Sequence, residues 1–523
     1  MEQLFAGIDS STQGTKLLIL NIETREVIYT DSVNYDKDLP RYKTKNGVIQ
    51  TDEPGVSESN PNMWIDALHM LFERLSSSEL QQEKIKCISV SGQQHGLVTL
   101  DKEGNLTRPT SKLWNDFSTQ EECDILTDKT GGIDAMIDQV GNSQRTGYTA
   151  AKIFHMARHE PRAFAETCTC FLVHNYINWF LTGGCKGGVR IMEPGDVSGM
   201  ALWHPETRTW SQKVMNIISP ELSKKLPPLK RSDASIGNIS NALSKQYGFD
   251  PLCKIDAGCG DNMYGAIGTG NVTEGIVTIS LGTSGTAYTC LKEAFIDPKG
   301  EIAAFCDSTG NHLPLLCVSN LANGYNQILE QYSLSHEEFI HKVDDIPAGN
   351  KGRVLIPWYM GERTPDMPNA TPVYFGFALD DFQPEILCRA VLEGHILNLF
   401  EGFRDMPVQP QEIRLTGGLS QSRAWVQTIA DIFETETVPV EGEGAALGAA
   451  LHAAWVWKKE AGETVKLDDL VRPFVKLRED RRCKLNPEHL PVYKKQKQVF
   501  SALSKRIRGV SADDPFALFK SMS

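Results

Sequence analysis

No stretch of the 523 residues reaches the roughly 18 consecutive apolar side chains of a membrane span. The start, Met1-Glu2-Gln3, lacks the basic and apolar regions of a secretory leader, so the cytoplasm is the expected compartment. Positive charge is also short: 53 Lys and Arg face 66 Asp and Glu, a net charge of −13. Such a balance disfavours nucleic acid and anionic membrane as partners. Close cysteine pairs are nearly absent, since of the 12 cysteines only Cys168 and Cys170 are neighbours. Without paired CxxC knuckles zinc is not expected, and the thiols are expected to be buried and reduced rather than catalytic. Low-complexity segments are missing as well. What is present is a hydrophobic fraction of 41%, enough for buried cores, in a chain long enough for more than one domain.

One short pattern occurs twice. Ser11-Thr12-Gln13-Gly14-Thr15 returns half the chain later as Gly282-Thr283-Ser284-Gly285-Thr286. Each copy lies between apolar runs, which reads as strand, tight polar turn, strand. Gly, Ser and Thr at such a turn let backbone N–H groups and hydroxyls converge on an anion. Hairpin tips also favour these residues for turn geometry alone. The acids nearby separate the two readings: Asp9 precedes the first turn and Gly260-Asp261-Asn262 the second. A carboxylate beside a phosphate loop repels phosphate unless a divalent cation lies between, and Mg²⁺ is held by one or two carboxylates together with substrate phosphates. The two halves therefore read as a nucleotide clamp.

The remaining pattern is alternating α/β. Asn60 caps and Pro61 opens a helix in which Trp64, Ala67, Leu68, Leu71, Phe72 and Leu75 fall at helical spacing. A strand at 87–91 ends in Gly92-Gln93-Gln94-His95-Gly96, a polar cluster where such a sheet would place a ligand. A polar stretch after Pro227-Pro228 puts the domain boundary near residue 250. Further on, the strand Ile413-Arg414-Leu415-Thr416 ends in Gly417-Gly418, where a flat ligand could approach the backbone, or where helix and strand simply pack closely. The small residues of Gly444–Ala450 are expected to serve close helix packing. Residues 493–508 read as a basic, solvated terminal helix covering a domain edge. The expected division is 1–250, 251–470 and a helical extension over 471–523.

The order Asp9, Gln94-His95-Gly96, Trp114-Asn115-Asp116, Gly260-Asp261-Asn262, Ser280 to Gly285, Gly361-Glu362-Arg363-Thr364-Pro365 and Thr416-Gly417-Gly418 resembles the FGGY family of carbohydrate kinases, over roughly residues 4 to 460. Gly147 to Lys152 and Arg389 to Gly394 resemble parts of its two signatures. His155 stands where the first signature usually has Trp, Ser11 where many members have Gly, and Pro372 where a small residue is usual.

The resemblance implies two ribonuclease-H-like domains of the actin, hexokinase and Hsp70 type, with a catalytic cleft between them. It also implies ATP and Mg²⁺ as cofactors and a small sugar as substrate, with a homodimer left open. By analogy Asp261 is the catalytic base, and Gln94, His95, Asn262, Trp114 and Arg145 belong to the sugar site. Thr12, Gln13, Thr15, Gly282, Thr283 and Ser284 would face the phosphates, with Asn323, Gln327, Gly417, Gly418 and Ser422 toward the nucleotide. Asp9 with Asp261 would place the metal. For Asp261 the competing role is a cap on the following helix, for His95 a turn histidine, and for Trp114 core packing. Glycerol kinases carry Arg-Glu at the positions of Gln94-His95; the resemblance of Gly92 to Gly96, Trp114-Asn115-Asp116 and Gly361 to Pro365, taken together, implies D-xylulose as the sugar, ahead of a ribulose, a deoxyketose or a polyol. A non-kinase ATPase of the same superfold would share the hairpins without needing Gln94 and His95.

Overall fold

A computed structural model describes residues 3–442 and 444–520. The chain forms two compact units. The first takes the residues up to Thr273, together with 290–313 and 442–475. Its sheet begins as an antiparallel meander of β1 (Leu4–Ser10), β2 (Gly14–Asn21) and β3 (Glu26–Asn34). Helix α1 (Pro61–Ser76) then leads to β4 (Ile85–Gly92), which lies parallel to β1. Helix α1 forms as its sequence dictates: the Asn60 side chain accepts from Asn62 N at 2.9 Å, and all six apolar residues named above are buried. Each such side chain contributes roughly 1.5–3 kcal/mol before chain entropy is counted. Helices α2 (Gln120–Thr130) and α3 (Thr149–His159) follow, and β5 (Ser235–Asn238) and β6 (Lys254–Asp256) complete the order β5-β6-β4-β1-β2-β3. Helix α4 (Asp261–Gly268) starts immediately after Cys259-Gly260, which pairs with the end of β4.

The second unit comprises 274–289, 314–441 and the residues from Lys476 onward. It repeats the plan of hairpin and parallel crossover. Strands β7 (Ile276–Leu281) and β8 (Gly285–Thr289) form the hairpin, β9 (His312–Val318) pairs with β8, and helices α5 (Ala322–Tyr332) and α6 (Pro384–Phe403) precede β10 (Glu412–Thr416), parallel to β7. Helix α7 (Arg423–Phe433) leads to β11 (Thr437–Glu441), parallel to β10.

The division differs from the expected boundary near residue 250, for a physical reason. Strand β6 is hydrogen-bonded to β4, which ties the segment after residue 250 into the first sheet. Helix α8 (Gly444–Glu460) also belongs to the first unit, although it lies far along the chain. Glycine allows this docking. A β-carbon on Gly7 of β1 would lie 2.0 Å from Ala446 O, one on Gly448 would lie 1.8 Å from Tyr264 O, and one on Gly268 would lie 2.1 Å from Gly444 O. The small residues of α8 thus serve close packing, and α4 is held at its first and last turns. The long helix α9 (Leu490–Ile507) near the C-terminus is likewise more than a solvated cover. Tyr493 Oη and Gln496 Nε2 donate to the buried carboxylate of Glu393 on α6, at 2.9 and 3.1 Å.

Buried within α8, His452 joins separate stretches of the first unit. Its Nε2 donates to Ser308 O at 2.9 Å and its Nδ1 lies 2.8 Å from Asp256 Oδ2. Burial works against the proton, but the Asp256 carboxylate and the Ser308 carbonyl outweigh it and raise the imidazole above its usual value of 6.5. A raised folded pKa contributes stability that is full below 6.5 and is lost as pH rises through the folded value. The thermal midpoint of wild type should therefore exceed that of His452→Gln by most at pH 6, with the gap narrowing under more alkaline conditions. A gap that widens with pH would contradict the ion pair.

Candidate active site

The first polar turn is built as a hairpin braced from behind. Ser11 N and Oγ both bond Gly14 O at 3.0 Å, and Gln93 N donates to Ser10 O at 2.9 Å. Gly47, at φ +77°, backs the loop so closely that a β-carbon would lie 1.8 Å from Thr12 O. The Thr12 hydroxyl donates to Gln93 Oε1 (3.2 Å) and accepts the indole N–H of Trp114 (3.0 Å). Trp114 is 36% exposed, so its ring is not core packing; it reaches the turn from another loop. Gln13 is exposed, and its carbonyl accepts from Tyr35 N at 3.0 Å. Thr15 departs from expectation. It is 1% exposed, and its hydroxyl pairs with Tyr35 Oη at 2.8 Å. As the first residue of β2 to point into the core, it supports the hairpin rather than facing a ligand.

Asp261 opens α4 beside this turn's sheet. Its Oδ1 accepts from Asn262 N (2.9 Å) and Asn262 Nδ2 (3.1 Å); the cap position itself is Gly260, so Asp261 is the first residue of the helix rather than its cap. That bond also aims it, because Asn262 Nδ2 donates in turn to Gln94 Oε1 at 2.8 Å, and Gln94 Nε2 reaches Asp196 Oδ1 at 3.4 Å. Asp196 faces the buried His174, whose Nδ1 is 3.2 Å from Asp196 Oδ2 and whose Nε2 is 3.7 Å from Glu193 Oε1. Glu193 caps the short helix Pro194–Val197, which carries Asp196, by accepting from Gly195 N and Asp196 N at 2.6 and 2.7 Å. Asp196, His174 and Glu193 were not singled out in the sequence. The available signal was Glu193-Pro194-Gly195-Asp196, two acids around a Pro-Gly turn inside an otherwise apolar segment.

Burial raises Asp261, and the charges of Asp9 and Asp196 raise it further, to about 8. Asp9 at the end of β1 is likewise raised by burial, partly offset by the Ser91 hydroxyl at 2.7 Å and by Lys16 opposite it in the hairpin. Two carboxyl groups held above their ordinary range form a hard-oxygen donor set whose charge a divalent cation relieves, which fits Mg²⁺.

His95 sits at φ +65°, with its ring against Tyr148 and Phe305 at centroid distances of 4.9 and 5.7 Å. Its carbonyl is held from below by α3: Lys152 Nζ donates to His95 O (2.7 Å) and to Gly147 O (2.6 Å), and Thr149 Oγ1 donates to His95 O (3.2 Å). Lys152 is fully buried, and that burial pulls its ammonium down to about 7. Arg145 is bonded within the first unit. Its Nη2 donates to Gly300 O at 2.7 Å and its Nε to Ser143 Oγ at 3.3 Å, which commits the guanidinium to the loop at residue 300.

In the second unit, Gly282 and Thr283 are tied to the start of α5: Leu321 N donates to Thr283 O at 3.1 Å and Ala322 N to Gly282 O at 3.2 Å. Thr283 is exposed at the tip of this turn and Ser284, between it and β8, is half-buried. Asn323 Nδ2 donates to Asn320 Oδ1 at 2.7 Å, and Gln327 lies one turn further along α5. Asn320 is in turn bonded to Gly361 O (2.7 Å) and Glu362 Oε2 (3.1 Å), so the Gly361-Glu362 motif is a buried strut beneath α5. Gly417 needs its φ of +86°, and a β-carbon would meet Leu281 O at 2.5 Å, whereas one on Gly418 would meet open space. Ser422 is the residue before α7, and its carbonyl accepts from Val426 N. This places two candidate nucleotide segments on the same sheet, at the ends of the parallel strands β7 and β10.

Comparison with known proteins gives a consistent result. Residues 4–268 match the N-terminal domain of the FGGY family of carbohydrate kinases, and residues 277–457 match its C-terminal domain. A xylulose kinase of Haemophilus influenzae is 36% identical over 504 residues, 94% of this chain and 97% of its own. A xylulose kinase of Bacillus subtilis is 31% identical over 86% of this chain and 87% of its own. Among solved structures, the ligand-bound xylulose kinase from Lactobacillus acidophilus shares the fold with a TM-score of 0.85 at 22% identity, over 97% of this chain and 98% of that one. No helix among the described residues is long and apolar enough to cross a membrane. With both domains matched in order and a relative this similar along nearly the whole chain, the protein belongs to the FGGY family of carbohydrate kinases.

Proposed function

We propose that this kinase transfers the γ-phosphoryl group of MgATP to O5 of D-xylulose, giving D-xylulose 5-phosphate. The observation that carries the reading is the chain Asp261–Asn262–Gln94–Asp196, in which two amides link two carboxylates next to the start of α4. In this reading Gln94, His95 and Asn262 hold sugar hydroxyls, and Asp261 orients the attacking O5 and accepts its proton. Phosphoryl transfer asks for such positioning and for neutralised charge on the transferring group. On the first unit the Thr12 hydroxyl is the candidate phosphate contact; on the second, taken by itself, the backbone around Gly282, Thr283 and Ser284 is the candidate. Asp9 and Asp261 would hold Mg²⁺, which when bound supplies the positive charge that these loops lack. The names of the relatives support the choice of sugar, as does Gln94-His95.

A coupled assay of ADP release over a panel of sugars tests this. D-xylulose should exceed D-ribulose, L-ribulose and glycerol in kcat/KM by at least roughly tenfold, because a misplaced hydroxyl leaves a buried polar group unpaired. His95→Ala should raise the KM for xylulose far more than that for ATP. A different sugar winning by the same margin would remove D-xylulose and leave the kinase.

A further inference from the structure

The family match says nothing of a second cluster in the first unit. We propose that Glu122, His155 and His159 form a binding site for a divalent transition metal of the zinc class. His155 and His159 stand four residues apart at the end of α3, and so share one face of the helix. Glu122 comes from the first turn of α2, is 1% exposed, and lies with its Oε1 3.1 Å from His159 Nε2. One ligand atom from each of the three lies within 4.8 Å of the others. In a tetrahedral zinc site with bonds of about 2.0 Å, ligand atoms stand about 3.3 Å apart, a spacing that modest rotation of the two imidazoles reaches. The rings already lie together, with centroids 4.6 Å apart.

The second observation is at His155. Its Nδ1 is buried and makes no hydrogen bond to a protein group. A buried ring nitrogen without a partner carries a desolvation cost that a bound cation would offset. The cysteines offer no zinc knuckle, but two imidazoles and a carboxylate are a donor set that zinc uses elsewhere, with the remaining position left to water. They also differ in kind from the hard-oxygen pair Asp9 and Asp261, so the two sites select different metals. Arg158 competes at this place: its Nη1 donates to Glu122 Oε1 at 2.5 Å. It keeps a second partner, Glu121 Oε1 at 2.6 Å, to which it can retire when a cation arrives. The site therefore binds in competition with its own arginine and fastens α2 to the helix whose first turn carries Thr149 and Lys152.

Titration of tag-free, chelator-treated protein with Co²⁺, without nucleotide or sugar, reads the site by visible absorption. One equivalent should bind and be displaced by Zn²⁺. His155→Phe and His159→Ala should each weaken binding by about tenfold or more. Arg158→Gln should strengthen it, and Asp261→Asn should leave it unchanged. Zinc should also raise the thermal midpoint of wild type and not that of His159→Ala, since a ligand that binds only the folded state stabilises it. The proposal is overturned if wild type takes up less than about half an equivalent at about 100 μM free Co²⁺. It is equally overturned if both histidine variants bind as wild type does.

Discussion

Asp261→Asn is expected to lower turnover by about 10²–10⁴-fold while making the protein harder to unfold at neutral and alkaline pH. The loss follows from chemistry: the amide keeps the shape and can still meet Asn262, but it cannot take a proton from the sugar hydroxyl. The gain follows from electrostatics. Burial and the neighbouring charges of Asp9 and Asp196 raise the carboxyl from 3.8 to about 8 in the folded protein. Across that interval the folded state holds a proton that the unfolded chain has released, so stability falls as pH rises from 3.8 toward 8. Asparagine has no charge to bury and escapes this loss. In Mg²⁺-free buffer the variant's thermal midpoint should lie nearest that of wild type at about pH 4 and exceed it increasingly toward pH 8, while ATP binding followed by calorimetry stays within about threefold. Turnover within threefold of wild type would take Asp261 out of the role of base, whatever the melting curves show.

How far the sequence could lead depends on which interactions are local. The two hairpins, the capped helix after Asn60 and the turn after β4 were legible because their determinants lie within a few residues of one another. Thr15 illustrates the limit at short range. Its place in the repeated pentapeptide suggests a ligand-facing hydroxyl, but it is the strand alternation after Gly14 that decides, and Thr15 points to Tyr35. Trp114 shows the opposite: an aromatic residue that composition would send to the core instead reaches Thr12 across about a hundred residues of sequence.

Long-range docking was invisible. Nothing local marks Gly444–Glu460 as part of the first unit, because its assignment depends on Gly7, Gly268 and Tyr264 offering backbone at contact distance. The same holds for the acids behind Gln94. Glu193 and Asp196 become meaningful only once His174 and Gln94 arrive from other elements, and a pair of acids flanking Pro-Gly reads in isolation as an ordinary surface turn. The bond of Arg145 to Gly300 was hidden for a related reason, since Gly300 lies in a segment that joins the first unit only after the chain has begun the second.

Lys152→Met is expected to raise the KM for the sugar by roughly 10–100-fold while leaving the KM for ATP nearly unchanged. Methionine matches lysine in length and suits a fully buried position, so the core beneath α3 stays filled. What is lost is a donor to two carbonyls, Gly147 O and His95 O, of which the second keeps Thr149 Oγ1. Each unsatisfied buried acceptor costs about 1–3 kcal/mol. The cost falls where the backbone is already in an uncommon conformation, because His95 has φ +65° without the freedom of glycine. Relaxing that turn moves both Gln94 and the His95 ring, and with them the amide that Asn262 and Asp261 depend on. Thr149 still holds the His95 carbonyl from one side, so the turn loosens rather than collapses. A purely structural lysine would lower the melting point and the fraction of active protein, leaving both Michaelis constants alone; a positioning lysine changes the sugar constant selectively. Steady-state kinetics with each substrate varied in turn separates these outcomes, and a sugar KM within twofold of wild type would refute the positioning role.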